Sequence, residues 1–201
     1  MYVVLPWGHA AVGYLLYSGL RRFETGDIPD GPAVLALAVG TQFPDLLDKP
    51  LAWYLGVLPS GRSLGHSVFL TALLLAVLHR IATRYRRRKL SVAFAVGYLS
   101  HLAGDAVYPL AEGEPGRLRF LLWPAVAQSG DETGYTILRV LIESSLSVGG
   151  LLEVALFLIA TGLWLSHRAP GLWLCLEPFR PSDRRDRKST RLNSSHVCSS
   201  R

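Results

Sequence analysis

The chain has 201 residues, half of them hydrophobic and only 18% charged, with a formal net charge of +6. Its apolar residues are bunched into runs too long for ordinary core strands, which argues against a sheet-based soluble enzyme and leaves only an unusually apolar soluble bundle as the alternative to a membrane protein. Cys175 and Cys198 make no disulfide framework.

In chain order, five segments read as membrane spans: Val3–Leu20, Gly31–Leu47, Ser63–His79, Leu90–Leu110 and Val148–Ser166. A spanning helix needs about 20 apolar residues, with a range of roughly 17–25. The first run has no basic leader and no small-residue cleavage site, and it holds Trp7, His9 and Tyr14; it reads as a retained helix rather than a secretory signal. Gly40, Pro44 and Asp45 interrupt the second, which leaves a re-entrant segment open there. The expected fold is therefore all-α: an integral membrane helical bundle of about five spans occupying residues 1–173, followed by a basic, disordered tail over 174–201.

Within that tail, Asp186–His196 ("DRKSTRLNSSH") resembles the in-frame translation of a sequencing adapter, with Val197–Arg201 as its continuation, so residues 186–201 are expected to be non-native. They contribute Arg187, Lys188, Arg191 and Arg201 against Asp186, and without them the net charge is halved to +3. A nucleic-acid partner is accordingly not expected; the expected partners are membrane lipid and a lipid-like substrate.

Basic residues in short loops mark the cytoplasmic side. The strongest run is His79–Lys89, and Arg21, Arg22 and Arg168 follow the first and last spans. Placing all three inside threads the chain from outside to inside in its first helix. The outer loops then carry mixed charge: Lys49, Arg62, Glu112, Glu114, Arg117, Arg119, Asp131 and Glu132. On this threading His9, Asp45, Asp48, His66, His101 and Asp105 come from four different helices and reach one depth near the outer face. His101 and Asp105 are four residues apart and share a helix face. An ionisable group in mid-bilayer costs about 2.5–3.5 kcal/mol on insertion scales, so such residues are rare and usually functional.

Three histidines and three aspartates suit a borderline divalent ion, with zinc or manganese first, or a two-metal centre. The expected metal ligands are His9, Asp45, His66, His101 and Asp105. Asp48 is expected to orient a ligand or act as general base, and Arg62 to pair with a substrate phosphate. Taken singly, each has an ordinary role: His9 as an interfacial ring, Pro44–Asp45 as a helix stop, Asp48 as a cap. Gly8, Gly13, Gly61, Gly65, Gly97 and Gly104 flank these positions and permit close helix approach. His79 and His167 sit beside basic residues and read as interface anchors.

The ordered motifs "GHxxxGY", "PDLLDKP", "GRSxGHS" and "YLSHLxGD" resemble those of membrane-bound metal-dependent hydrolases of the YdjM type, in their haloarchaeal versions above all. The resemblance covers the chain to about Trp173. It implies an integral membrane hydrolase whose motif positions fall on His9, on Pro44, Asp45 and Asp48, on Arg62, His66 and Ser67, and on His101 and Asp105. One departure is Gly61, where many relatives carry a histidine; here the site is one donor short, or Asp48 substitutes. The activity these features point to is metal-assisted hydrolysis of an ester, a lipid-linked phosphoester foremost. An ion or metal transporter, or a non-enzymatic scaffold with a structural metal, would use the same residues.

Overall fold

The computed structural model describes residues 4–128, 142 and 147–177, and among them the regular structure is entirely helical. The long helices are α1 (Pro6–Thr25), α2 (Gly31–Lys49), α3 (Val68–Arg84), α4 (Arg88–Ala111) and α5 (Val148–Ser166), with a short α6 at Leu172–Leu176. A π-helical turn, Pro50–Tyr54, extends α2, and a 3₁₀ segment, Pro115–Leu122, follows α4. The chain divides into two compact units after Gly171. Of the expected tail, Leu174–Leu176 are helical; Asp131, Glu132 and the adapter-like residues lie outside the described residues.

Local chemistry sets these boundaries. Pro6 opens α1 where its missing N–H costs nothing, and Gly26 closes it at φ 72° with its N–H on the Arg22 carbonyl. Asp30 caps α2, its carboxylate accepting from Ala33 N at 2.9 Å. Pro44 does not stop α2, which continues to Lys49 as one helix. The expectation of a helix from Ser63 is not met. Residues 63–67 form a loop, because the amides of Ser63, Gly65 and His66 bond to the Asp48 carboxylate instead of to a helical turn.

Side-chain contacts give the helix directions. Gly13 lies by Gly97 and His9 by His101, so α1 and α4 are antiparallel. Leu37 meets Gly97 and Thr41 meets His101, so α2 and α4 are parallel. His79 meets Ser91 and Gly65 meets Tyr98, so the chain through α3 opposes α4. Leu5 meets Glu153 and Tyr14 meets His167, so α5 runs with α1. This is the alternation expected of successive crossings. By length and apolarity, α4 (mean hydropathy 1.3) and α5 (2.0) are the described helices able to cross a bilayer.

The closest packing is between α2 and α4. A Cβ on Gly40 would fall 2.3 Å from the Phe94 carbonyl oxygen, and one on Gly97 would fall 2.4 Å from that of Leu37. Backbone therefore touches backbone, a contact only glycine allows. Polarity is also inverted relative to a soluble protein. Large apolar side chains such as Leu73, Leu151, Leu158 and Ile159 face outward, whereas buried histidine, aspartate and serine share the interior with an apolar core that includes Tyr14, Tyr17, Val34 and Leu37.

Candidate metal centre

Asp48 organises one wall. It is fully buried; its Oδ1 accepts from Gly65 N (2.7 Å), and its Oδ2 accepts from Ser63 N (2.7 Å), His66 N (3.2 Å) and His66 Nδ1 (2.8 Å). The loop is thus folded around a carboxylate at the end of α2, and His66 is aimed by it. Tyr98 OH fixes the loop from α4 by donating to the Gly65 carbonyl at 2.5 Å. His101, on α4, donates from Nδ1 to the Thr41 carbonyl at 2.7 Å.

Those two bonds settle the histidine tautomers. A carbonyl and a carboxylate only accept, so Nδ1 of both rings carries a proton, and in the neutral form of each ring Nε2 presents a lone pair. The two Nε2 atoms face one another at 3.2 Å. Asp105 Oδ2 lies 3.1 Å from His66 Nε2 and 3.6 Å from His101 Nε2; Asp45 Oδ1 lies 3.7 and 3.8 Å from the same two atoms. With both rings neutral, four acceptors are gathered with no donor among them. Four donors around one tetrahedral divalent ion, with bonds of about 2.0–2.2 Å, stand roughly 3.3–3.6 Å apart. His66 Nε2, His101 Nε2 and Asp105 Oδ2 stand 3.1–3.6 Å apart, with Asp45 Oδ1 3.7–3.8 Å from the two rings, so the donor types and these spacings suit such an ion.

Beyond this group, Arg62 Nη2 donates to Asp105 Oδ1 at 3.0 Å, and Lys49 bonds the second oxygen of Asp45. Sequence placed Lys49 and Arg62 among loop charges; the structure brings both onto the aspartates. His9 stacks on His101 with ring centroids 3.7 Å apart and an interplanar angle of 19°. Two overlapping triads, His9–His101–Asp105 and Asp45–His66–His101, each have ligand atoms within 4.8 Å of one another. All six expected His and Asp residues are therefore together. The 3₁₀ segment covers them: Phe120 meets the His66 ring edge-on at 5.9 Å and lies under the Arg62 guanidinium at 5.6 Å. Gln128 Nε2 closes the cover by donating to the Arg62 carbonyl at 2.7 Å.

Glu153 was not anticipated. It is a lone acid in the most apolar helix, buried to 4% exposure, and its Oε2 accepts from Leu5 N at 2.9 Å. It fits against the first turn of α1 because residue 8 is glycine; a Cβ there would lie 2.5 Å from that oxygen. A carboxylate at a helix N-terminus is favoured by the helix dipole. Leu5 in turn accepts from His9 N through its carbonyl, at 3.2 Å. The available signal was the acid itself, isolated in an apolar run. His79 and His167, by contrast, bond Ser91 Oγ (3.0 Å) and Tyr14 OH (2.9 Å) at the opposite end.

A helical bundle clad in apolar side chains, enclosing a His/Asp group able to hold a metal ion, defines a class: a membrane protein with a buried polar centre. The chain belongs to the YdjM inner membrane protein family, whose model matches residues 4–174. No curated protein and no solved structure matches it.

Proposed function

We propose that this protein is a membrane-bound metal-dependent hydrolase of an ester, with a lipid-linked phosphoester as its substrate class. The observation that carries the reading is the convergence of four atoms of metal-ligand type, His66 Nε2, His101 Nε2, Asp45 Oδ1 and Asp105 Oδ2, which are all acceptors when the rings are neutral. Lone pairs so close repel unless something positive lies between them. A proton on one ring serves one pair; a divalent cation serves all four.

These four residues would hold zinc or manganese, and with a position left for water in that shell the metal would lower the pKa of the water towards neutrality and polarise the ester oxygen. The rest is done by the chain. Asp48 holds the His66 ring in one tautomer and one orientation, and Thr41 does the same for His101. Both Asp48 oxygens are occupied by these bonds, which suits orienting better than proton abstraction. Asp45 is the most exposed of the four donors, with its side chain 11% accessible, and marks the side from which water and substrate reach the ion. Arg62 neutralises Asp105 and supplies positive charge beside a phosphoryl group. The cover formed by residues 115–128 keeps bulk water out, which strengthens every charge interaction inside.

A transported ion would need polar groups along the whole bundle. Among the described residues, the buried acidic and basic side chains His9, Asp48, Arg62, His66, His101, Asp105 and Glu153 all lie at one end. The test is elemental analysis of detergent-purified protein together with turnover of a chromogenic phosphodiester. Near-stoichiometric metal and metal-dependent turnover are expected, both lost in His101→Ala. Metal-free native protein would end the proposal; metal without turnover would favour a structural centre.

In this reading α1, α2 and α3, which do not qualify as spans by length and apolarity alone, enter the bilayer with α4 and α5 because they pack side by side with them, α2 crossing or re-entering. The site faces outward because Arg21, Arg22, Arg84, the run Arg86–Lys89 and Arg168 lie at the opposite end. In a chain with Cys175 and Cys198 replaced by serine, a cysteine at exposed Glu114 should react with an impermeant maleimide in intact cells. One at exposed Thr83 should not. The reverse pattern would place the site on the cytoplasmic face.

A further inference from the structure

His9 is 1% exposed, and neither ring nitrogen has a hydrogen-bond partner. A neutral imidazole carries one donor and one acceptor, so two polar atoms are buried at the cost of their lost hydration unless a ligand meets them. Sequence places His9 among the metal ligands, and it is close enough to be counted with them. The ring planes say otherwise. A histidine holds a metal ion in the plane of its ring, at about 2.0–2.1 Å. His9 and His101 are stacked with centroids 3.7 Å apart and planes only 19° from parallel. Two such planes do not meet within bonding distance of either ring, so the two lone pairs cannot share one ion.

A second ion beside His9 is opposed by charge. The nearest carboxylate oxygen to His9 Nε2 is Asp105 Oδ1, at 3.8 Å, and that oxygen already accepts from Arg62 Nη2 at 3.0 Å. A further cation there would face a guanidinium at close range. The same geometry suits an anion. His9 and Arg62 flank one oxygen of Asp105, while its other oxygen faces His66 and His101. Gly104 keeps the space beside His9 Nδ1 open, since a Cβ there would come to 3.3 Å.

We infer that His9 is a substrate-contacting residue and not a metal ligand: its ring N–H hydrogen-bonds an oxygen of a phosphate or phosphoester bound at the centre, with Arg62 on the same side. This rests on the metal reading above and names a recognition element within it. Glu153 is a positioning residue for His9, because it holds Leu5 N while the Leu5 carbonyl holds His9 N.

The test uses the full chain in detergent, loaded with cobalt, with inorganic phosphate as the probe. His9→Ala should keep the cobalt stoichiometry and the visible spectrum of the native protein, and should weaken phosphate binding at least tenfold. His9→Asn, which restores an N–H donor, should recover part of that loss and guards against a folding artefact in the alanine variant. A cobalt spectrum altered in both variants would make His9 a ligand and overturn the inference. Unchanged phosphate affinity in both would overturn it as well. Native protein that takes up no cobalt would overturn the metal reading itself, and the inference with it.

Discussion

Asp105→Asn is expected to lower bound divalent metal by well over tenfold while the protein still reaches the membrane. The substitution keeps the shape of the side chain and removes the charge nearest the two facing imidazoles. Asp105 Oδ2 is 3.1 Å from His66 Nε2, so an amide there offers a cation a weak dipole where it had a full negative charge. The Arg62 guanidinium, 3.0 Å from the other oxygen, would then lose the Asp105 charge that offsets it and would oppose the ion. Insertion should be unaffected or slightly improved, because a charge has left an apolar helix. Elemental analysis of the purified variant, normalised to protein in the membrane fraction, measures both arms. Metal retained at native level with a lowered melting temperature would assign Asp105 a hydrogen-bonding role alone.

Gly97→Leu should be strongly damaging although it lies outside the site. A Cβ at this position lies 2.4 Å from the Leu37 carbonyl oxygen and 3.0 Å from Thr41 N, both backbone atoms that cannot turn aside. Overpacking of this kind costs about 1–3 kcal/mol where neighbours can yield, and more where the obstacle is backbone. Pushing α4 from α2 also separates His101 Nδ1 from the Thr41 carbonyl and loosens the ring that faces His66. Loss of thermal stability and of bound metal should therefore appear together, in a detergent melt and in elemental analysis. Gly162→Leu is the control, since a Cβ there meets nothing within 4 Å. Equal melting temperatures for the two variants would show that α2 and α4 are not clamped as described.

His9, Asp45, Asp48, His66, His101 and Asp105 were legible because ionisable groups stand out in apolar runs and because helix direction alternates. Two signals were enough to gather them at one end. The start of the third helix was not legible. Ser63–Ser67 looks like a first helical turn, and only a carboxylate fifteen or more positions earlier turns its amides elsewhere. The partner of Arg62 was missed for the same reason, since it finds Asp105 across 43 positions, whereas Lys49 and Asp45 are four apart on one helix and their pairing was open to the sequence. Spacing also says nothing about ring planes, and it is the stacking of His9 on His101 that separates its chemistry from that of its neighbours. Glu153 escaped because one acid without a spaced companion points to no constellation; its meaning appears only against Leu5 and Gly8.

That Glu153 contact bears on how the protein is made. Among the described residues, α5 packs against α1 and no other long helix. The described residues that face the centre from a helix or loop, from His9 to Gln128, have already been synthesised when α5 begins at Val148. α5 is also the helix that a translocon would release into lipid most easily on its own hydrophobicity. Biogenesis can thus proceed in two stages, with the earlier helices closing around the polar centre first. The last helix then arrives from the lipid and engages the free start of α1 through one carboxylate. The nascent bundle holds its chemistry before it is latched, and the latch is a charge that lipid would reject anywhere else.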